Sequence, residues 1–324
     1  MSSPGHRKIN PFSKQNNDTG FASNNTDVGG RFINKDGTYN LEKEGMPFYN
    51  RMSLFHDMLY IPVWKFIGII VVFYLSINLA FTTIYYILCP DQLIGIIPGN
   101  KWKIFKELFY FSAQTFTTVG YGRVNPVGDS ANIVAMLEAL TGFLSLAIAT
   151  GLIYGRFSRP RGYLKFSDHA LVSPYKGITA LMFRFVAYKD KHTLTDLDIR
   201  VNVVMQLLEN DTPTYKYFTL ELERNKVESM PMSWTVVHPI TETSPFYGFT
   251  EDDMKAADVE LYINLRAFDE VFSNYVQQRT SYTYDEILFD RKFIPMFRES
   301  PDGRKTILEL HKLNIHNEVK AKTS

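Results

Sequence analysis

The chain has 324 residues, a formal net charge of +1, 45% hydrophobic residues and a single cysteine, Cys89. A charge near zero argues against nucleic acid as a partner, because phosphate binding requires a basic surface. One cysteine cannot form an intrachain disulfide, so the cysteine count indicates no redox compartment.

Residues 1–30 are rich in Ser, Asn, Gly and Asp and contain few large apolar residues, which predicts a disordered N-terminal segment. The tripeptide Lys35-Asp36-Gly37 that follows is a turn signal between two short apolar stretches. We therefore expect a short strand pairing within residues 32–44.

Between residues 47 and 61, apolar residues recur at helical spacing: Phe48, Met52, Phe55 and Leu59. A stripe of this kind just before a spanning segment predicts an amphipathic helix lying on the membrane surface, within a cytoplasmic region of residues 31–62. A soluble helix packed on the downstream domain is the alternative.

Two long apolar segments, residues 64–88 and 131–157, carry few charges. Lys65 stands at the entry of the first segment, whereas Glu138 is the only acidic residue of the second. Since about 20 apolar residues span a bilayer, both segments are predicted membrane spans within a pore domain of residues 63–158.

The sequence Thr-Thr-Val-Gly-Tyr-Gly lies between the two spans, directly after a helix-compatible stretch at about residues 103–116. Its last five residues form a segment whose backbone carbonyls replace the hydration shell of a potassium ion. Glycine permits the backbone angles that point successive carbonyls at one axis. The predicted potassium-binding residues are Thr118, which also offers its hydroxyl, Val119, Gly120, Tyr121 and Gly122.

An ordinary Gly-Tyr-Gly turn is the alternative interpretation. However, non-helical backbone at membrane depth is tolerated only where it is buried in protein or lines a water-filled cavity. One chain supplies one filter strand, so four copies must surround a four-fold axis. We therefore predict a homotetramer that uses no cofactor and takes potassium as its permeant ion.

The second span contains Gly142 and Gly151, which are candidate hinges or sites where helices approach closely. Glu138 is costly inside a membrane unless it is paired. Its position behind the predicted filter indicates a hydrogen-bonded support rather than an ion ligand.

A basic cluster follows the second span and places that end in the cytoplasm. Such a cluster also attracts anionic lipid headgroups, phosphoinositides included, although topology alone would explain it. The candidate lipid-binding residues are Lys65, Arg156, Arg159, Arg161 and Lys165.

From residue 163 onward the chain alternates β-branched and aromatic residues with turn signals, which predicts a β-sandwich over residues 159–310 and a tail over 311–324. The predicted strands are 170–172, 178–188, 199–208, 217–222, 232–237, 259–267 and 280–288. The sequence contains no nucleophile–base pair, zinc spacing or phosphate-binding glycine loop, so nothing in it indicates an enzyme.

Beyond the filter, four stretches resemble the inward-rectifier potassium channel family between about residues 30 and 302. They begin at Gly30 (Gly-Arg-Phe-Ile-Asn-Lys-Asp-Gly), Arg156 (Arg-Phe-Ser-Arg-Pro-Arg), Trp234 (Trp-Thr-Val-Val-His-Pro-Ile) and Arg279 (Arg-Thr-Ser-Tyr). The resemblance implies a two-span helical pore domain with a re-entrant pore helix, joined to a cytoplasmic all-β immunoglobulin-like sandwich, in a homotetramer.

The resemblance also implies residue roles. Tyr154 corresponds to the constriction where the helices cross, and Leu146 stands where strong rectifiers carry an acid, so we expect weak rectification from the membrane pore. Glu270 resembles an acidic pore residue. The narrow cytoplasmic loop corresponds to Val271, Phe272, Ser273, Asn274 and Tyr275.

Three features depart from the family's pattern. Gln114 replaces a common pore-helix glutamate, Arg123 follows the filter where prokaryotic members often have Asp, and a single cysteine cannot reproduce the paired cysteines of animal members. These losses fit a bacterial member better than an animal one, which implies the bacterial inner membrane. The basic cluster after the second span implies that both termini lie in the cytoplasm. A potassium-uptake transporter subunit and a membrane-anchored ligand-binding β-domain are the alternative functions.

Overall fold

A computed structural model of the chain divides into two compact units. The helical unit comprises residues 44–159, and the β unit comprises residues 1–43 together with 160–324. The structure describes residues 10–15, 31–47, 49, 53–89, 91–189, 193–209 and 212–319. Most of the segment predicted to be disordered, and positions 48 and 50–52 of the predicted surface helix, lie outside these residues.

Four helices make up the described helical unit. They are α1 (Leu54–Tyr60), α2 (Val63–Leu88), α3 (Lys101–Phe116) and α4 (Asp129–Phe157). With 26 and 29 residues, α2 and α4 are long and apolar enough to cross a membrane. This arrangement confirms the predicted pair of spans with a shorter helix between them. At the start of α3, the side chain of Asn100 caps the helix by accepting a hydrogen bond from the amide of Lys103.

The three longer helices meet around a small apolar cluster. Tyr85 and Cys89 of α2, Phe111 of α3 and Ala131 of α4 are buried in it. Two short strands, β1 (Leu93–Ile94) and β2 (Asn125–Pro126), pair antiparallel and so join the loops on either side of α3. The ends of α3 are thereby tied to both spanning helices.

The β unit contains two five-stranded sheets and one short helix, α5 (Glu251–Ala256). The first sheet has the order β11-β10-β6-β7, with β8 also paired to β6. These strands are β6 (Leu194–Glu209), β7 (Thr212–Thr219), β8 (Lys226–Ser229), β10 (Glu260–Asp269) and β11 (Asn274–Thr283). The second has the order β12-β4-β5-β3, with β9 also paired to β5. These strands are β3 (Leu164–Phe166), β4 (Ala170–Tyr175), β5 (Ile178–Ala187), β9 (Trp234–Pro239) and β12 (Ile287–Phe289).

The core of the β unit follows from side chains that alternate between the two faces of each strand. Ile199, Val201 and Val203 of β6 face the same cluster as Phe183 and Phe185 of β5, and all five are at most 2% exposed. Residues of both sheets thus share one apolar layer, which confirms the predicted β-sandwich.

The N-terminal strand segment is tied to the outer side of this sandwich. Ile33 forms an isolated bridge with Tyr39, and Arg31 forms an ion pair of 2.8 Å with Glu286. The side chain of Asn10 donates hydrogen bonds of 2.9 Å to the backbone carbonyls of residues 242 and 244. The predicted disorder is therefore wrong for residues 10–15.

The predicted C-terminal boundary at residue 310 is also too early. A strand β16 (His316–Glu318) pairs with β13 (Arg291–Phe293), and β14 (Phe297–Glu299) pairs with β15 (Thr306–Leu308). The buried guanidinium of Arg184 donates to the carbonyls of Leu313, at 2.8 Å, and of Ile294, at 2.7 Å. Burial lowers the pKa of Arg184 to about 10.

One further prediction needs correction. The predicted strand 280–288 is interrupted by a 3-10 turn, Tyr284–Glu286, in which Thr283 and Glu286 cap each other's backbone amides. In the region of the predicted surface helix, Tyr49 is helical and α1 runs from Leu54 to Tyr60, ending before Pro62, whereas residues 48 and 50–52 lie outside the described residues.

Candidate functional site

The loop that follows α3 has an alternating backbone. Thr118, Gly120 and Gly122 have φ angles of 59°, 52° and 77°, whereas Val119 and Tyr121 between them have no positive φ. Alternation of left- and right-handed backbone angles turns successive carbonyls towards the same side, unlike the opposite sides of a regular strand. This is the backbone pattern that a column of ion-binding carbonyls requires.

Hydrogen bonds from the loop return to the last turn of α3. The amides of Val119 and Gly120 both donate to the carbonyl of Gln114, at 3.0 and 3.2 Å. The amide of Thr118 donates to the carbonyl of Thr115 at 3.0 Å. The inner part of the loop is therefore fixed by backbone hydrogen bonds. These bonds use the backbone carbonyl of Gln114 and do not involve its side chain.

Behind the loop, Glu138 of α4 lies at the centre of a buried polar network. Its carboxylate accepts hydrogen bonds from Tyr85 of α2 at 2.8 Å and from Ser112 of α3 at 2.5 Å. Ser112 also lies 3.1 Å from the side-chain oxygen of Asn78. This arrangement confirms the interpretation of Glu138 as a hydrogen-bonded support, with three helices joined through one carboxylate.

On the other side of the loop, Arg123 forms a pair that the sequence analysis missed. Its guanidinium lies 2.5 Å from the carboxylate of Glu107 on α3 and donates to the carbonyl of Gly95 at 3.1 Å. Asn125 donates to the carbonyl of Gly122 at 2.7 Å. Opposite charges sixteen positions apart give no periodic signal, so only the fold brings Glu107 and Arg123 together.

The two candidate hinge glycines differ in their surroundings. A Cβ at Gly142 would lie 1.9 Å from the carbonyl oxygen of Phe116, so α4 can approach the end of α3 only with glycine there. A Cβ at Gly151 would meet nothing within 4 Å. The structure therefore supports the interpretation of Gly142 as a site where two helices approach closely. The helix α4 continues through both Gly142 and Gly151 without a break.

At the far end of α4, two of the candidate lipid-binding arginines contact α1. Arg156 donates to the carbonyls of Met58 and Ile61, at 2.6 and 2.7 Å, which satisfies the C-terminal end of α1. The guanidinium of Arg159 lies 3.5 Å from the ring centre of Tyr60. The remaining candidates, Lys65, Arg161 and Lys165, are exposed in the single chain.

Leu146 and Tyr154 lie on α4 and are 66% and 72% exposed in the single chain. The helical unit also contains an open cavity of about 510 Å³, lined mainly by α2 and α4, to which Leu146, Thr117 and Thr118 contribute. This side of the helical unit is therefore unfilled apolar surface next to the filter loop.

In the β unit, residues 270–273 form the tight connection between β10 and β11, whereas Asn274 and Tyr275 are already the first residues of β11 and pair with Asp269 and Phe268. The carboxylate of Asp269 accepts hydrogen bonds from the amides of Val271 and Phe272, at 2.9 and 3.1 Å, and Ser273 has a φ of 48°. The hydrogen bond from Tyr275 to Asp196 raises the pKa of the Tyr275 hydroxyl. Glu270 and Asn274, on either side of the turn, are exposed.

Comparison with known families matches both units. Residues 69–159 match an ion channel family, and residues 164–324 match the C-terminal domain of inward rectifier potassium channels. The two matches cover the predicted pore helix, the filter loop and most of the β-sandwich.

Individual relatives agree. The inward rectifier potassium channel Kirbac3.1 of Paramagnetospirillum magnetotacticum is 33% identical over 86% of this chain and 92% of its own length. The ATP-sensitive inward rectifier potassium channel 12 of Bos taurus is 24% identical over 85% of this chain and 69% of its own. The human G protein-activated inward rectifier potassium channel 1 is 28% identical over 59% of this chain and 40% of its own length.

Proposed function

Since the chain belongs to the inward rectifier potassium channel family, we propose that four copies form a passive, potassium-selective pore in a cell membrane. Each copy contributes one strand of carbonyls from Thr118 to Gly122, and the potassium ion passes along the four-fold axis without its hydration shell. The proposed setting is a bacterial inner membrane, with both termini in the cytoplasm.

The alternating φ angles between Thr118 and Gly122 are the observation that carries this proposal. In a single chain the Val119 and Tyr121 side chains are 55% and 78% exposed. Packing from neighbouring copies would cover them. A membrane-anchored ligand-binding domain has no use for such a loop, and a single filter repeat per chain argues against a potassium-uptake transporter subunit.

Ion flux into liposomes tests the proposal directly. Purified protein should pass rubidium, a potassium substitute, and exclude sodium, and Gly120→Ala should abolish rubidium flux. Gly177→Ala is the matched control, because Gly177 also has a positive φ, of 86°, and open space around it, but lies in the β4–β5 hairpin. Equal sodium and rubidium flux, or unchanged flux in Gly120→Ala, would contradict the proposal.

We further propose two gates, one at Tyr154 and one at the turn of Val271, Phe272, Ser273, Asn274 and Tyr275. Four bulky side chains at one level of a pore close it by excluding water. Rectification is proposed to be weak, because Leu146 offers no charge to a blocking cation and, of the two candidate positions, Glu270 alone is acidic. Leu146→Asp should introduce voltage-dependent block by internal magnesium, and the absence of such block would remove Leu146 from this role.

Anionic lipid is proposed to act through Lys65, Arg159, Arg161 and Lys165, whose charges attract headgroups. Arg156 has a different proposed part, since its donors already bind the carbonyls at the end of α1. Arg161→Gln should change only the response of flux to anionic vesicles, whereas Arg156→Gln should lower flux in neutral vesicles as well. If both variants respond to lipid as the wild type does, Arg156 and Arg161 have no role in lipid sensing.

A further inference from the structure

The outer end of the filter loop is anchored differently from its inner end. The inner amides, of Thr118 to Gly120, bond to backbone carbonyls of α3. Beyond Gly122 the backbone pairing of β2 with β1 is supplemented by side-chain contacts next to the filter, since Asn125 donates to the Gly122 carbonyl and Arg123 reaches Glu107 and Gly95. The position of the last filter carbonyls therefore depends in part on what these side chains contact.

Arg123 joins three segments of the helical unit. Its own backbone belongs to the loop after the filter, its Nη2 lies 2.5 Å from Glu107 on α3, and its Nη1 donates to Gly95 in the loop before α3. The backbones also touch, since a Cβ at Gly95 would lie 1.8 Å from the carbonyl oxygen of Arg123. One planar guanidinium thus bonds to two segments at fixed angles, which a lysine ammonium cannot reproduce.

The charges in this contact are unequally exposed. The Glu107 side chain is 9% exposed and that of Arg123 is 45% exposed. A carboxylate with so little access to water depends on its partner, because a buried charge without compensation is strongly destabilising. In a four-fold assembly, four guanidinium groups would also stand beside the entrance of a cation path, where the Glu107 carboxylates offset their repulsion.

We propose that Glu107 and Arg123 are a positioning pair that sets the outer end of the filter and thereby contributes to the discrimination of potassium from sodium. The pair lies outside the filter residues themselves. It acts by holding the backbone that follows Gly122 against α3 and against Gly95, and by cancelling the positive charge at the entrance. This inference rests on the proposed function, since it concerns the selectivity of the same loop.

The test measures the rubidium-to-sodium flux ratio in liposomes for four forms: wild type, Glu107→Gln, Arg123→Gln and the double variant. Each single change leaves one charge unpaired and should lower the ratio about ten-fold, the scale of one charged hydrogen bond. The double variant has neither charge unpaired, so its loss should be smaller than the product of the two single losses. Lys106→Gln, which removes a neighbouring exposed charge on α3, is the matched control and should leave the ratio unchanged.

The pairing would be overturned if the loss of the flux ratio in the double variant equalled the product of the two single losses. It would also be overturned if the single variants kept the flux ratio of the wild type. If a single variant fails to assemble, Arg123→Lys keeps the charge but loses the two-armed contact, and it should give an intermediate ratio; a wild-type ratio there also contradicts the inference. A wild-type protein that passes sodium as readily as rubidium defeats the proposed function instead, so the two failures are distinguishable.

Discussion

The β unit and the helical unit bury different chemistry. The centre of the β unit is a layer of aliphatic and aromatic side chains from two sheets, Phe183 and Phe185 among them. In the helical unit, Glu138, Ser112, Asn78 and Thr82 are buried to 0% exposure alongside a much smaller apolar cluster. Polar groups thus occupy, around the filter loop, the place that apolar groups occupy between the sheets.

The difference follows from the solvent that surrounds each unit. In water, removing apolar surface from solvent drives packing. Between helices in lipid this driving force is missing, so hydrogen bonds and close backbone contacts fix the arrangement. We therefore expect changes in the β unit to act on stability, and changes around the filter to act on ion selectivity.

The largest expected effect comes from Phe183→Ala in the core of the sandwich. Loss of a fully buried phenylalanine should lower the free energy of unfolding of the β unit by about 3–5 kcal/mol, through lost burial and the cavity left behind. Phe297→Ala, at a side chain that is 53% exposed, is the control and should cost about 0.5 kcal/mol or less. Thermal unfolding in detergent measures both, and a changed rubidium-to-sodium ratio in folded Phe183→Ala protein would break the comparison.

Glu138→Ala should produce the next largest effect, on selectivity. It removes the acceptor of the buried Tyr85 hydroxyl, at a cost of about 1–3 kcal/mol, and the shorter of the contacts of Ser112, whose hydroxyl can still donate to Asn78. The filter loop loses its link to α2 and α4, so sodium flux should rise relative to rubidium flux. Tyr85→Phe removes only one of the two hydrogen bonds and should shift the ratio less. An unchanged ratio in Glu138→Ala would show that the polar network does not support the filter.

The two glycines of α4 provide a matched pair with opposite expected signs. Gly142→Ala places a methyl group against the carbonyl of Phe116, and such overpacking costs about 1–3 kcal/mol. Gly151→Ala meets open space and should stabilise the helix by up to about 1 kcal/mol. Tetramer stability on heating distinguishes them; equal destabilisation by both would contradict the assignment of close approach to Gly142 alone.

The smallest effect concerns pH and the N-terminal strand segment. Burial alone would raise the pKa of the Glu286 carboxyl, but the hydrogen bond from Arg31 and the charge of Lys35 outweigh it and lower the pKa below its usual value near 4.5. The same burial lowers the pKa of Lys35, so Arg31 is the firmer partner. A lowered carboxyl pKa stabilises the fold above the unfolded value.

Protection of residues 31–40 from hydrogen exchange should therefore hold at neutral pH and fall as the pH drops below about 4.5 through the folded pKa of Glu286. Glu286→Gln should lose part of this protection at neutral pH and show a weaker pH dependence. A pH profile identical to that of the wild type would exclude Glu286 as the titrating group.

Features with a local signature were predictable from the sequence. Length and apolar composition predict the two spans, and five consecutive residues predict the filter. The alternation of apolar and polar residues along strands such as β6 predicts the sandwich. Glu138 was predictable because an acid inside an apolar span must be paired. In each case a short stretch of sequence contains the whole physical reason for the structure that forms there.

Contacts between distant segments were not predictable. The pair of Glu107 and Arg123 depends on a loop that folds back on α3, and the carbonyl contacts of Arg184 depend on where residues 294–315 return to β5. Arg156 was predicted to bind lipid because the sequence shows its charge. The sequence does not show its contacts with the end of α1. Charge reveals that a partner is needed but not which partner is near.

Anomalous diffraction from rubidium-soaked crystals of the assembled protein tests the central claim most directly. The account predicts four chains around one axis, with rubidium on that axis between successive rings of carbonyls from Thr118 to Tyr121. An assembly of two or three chains, or an axis without a monovalent cation at that level, would contradict it.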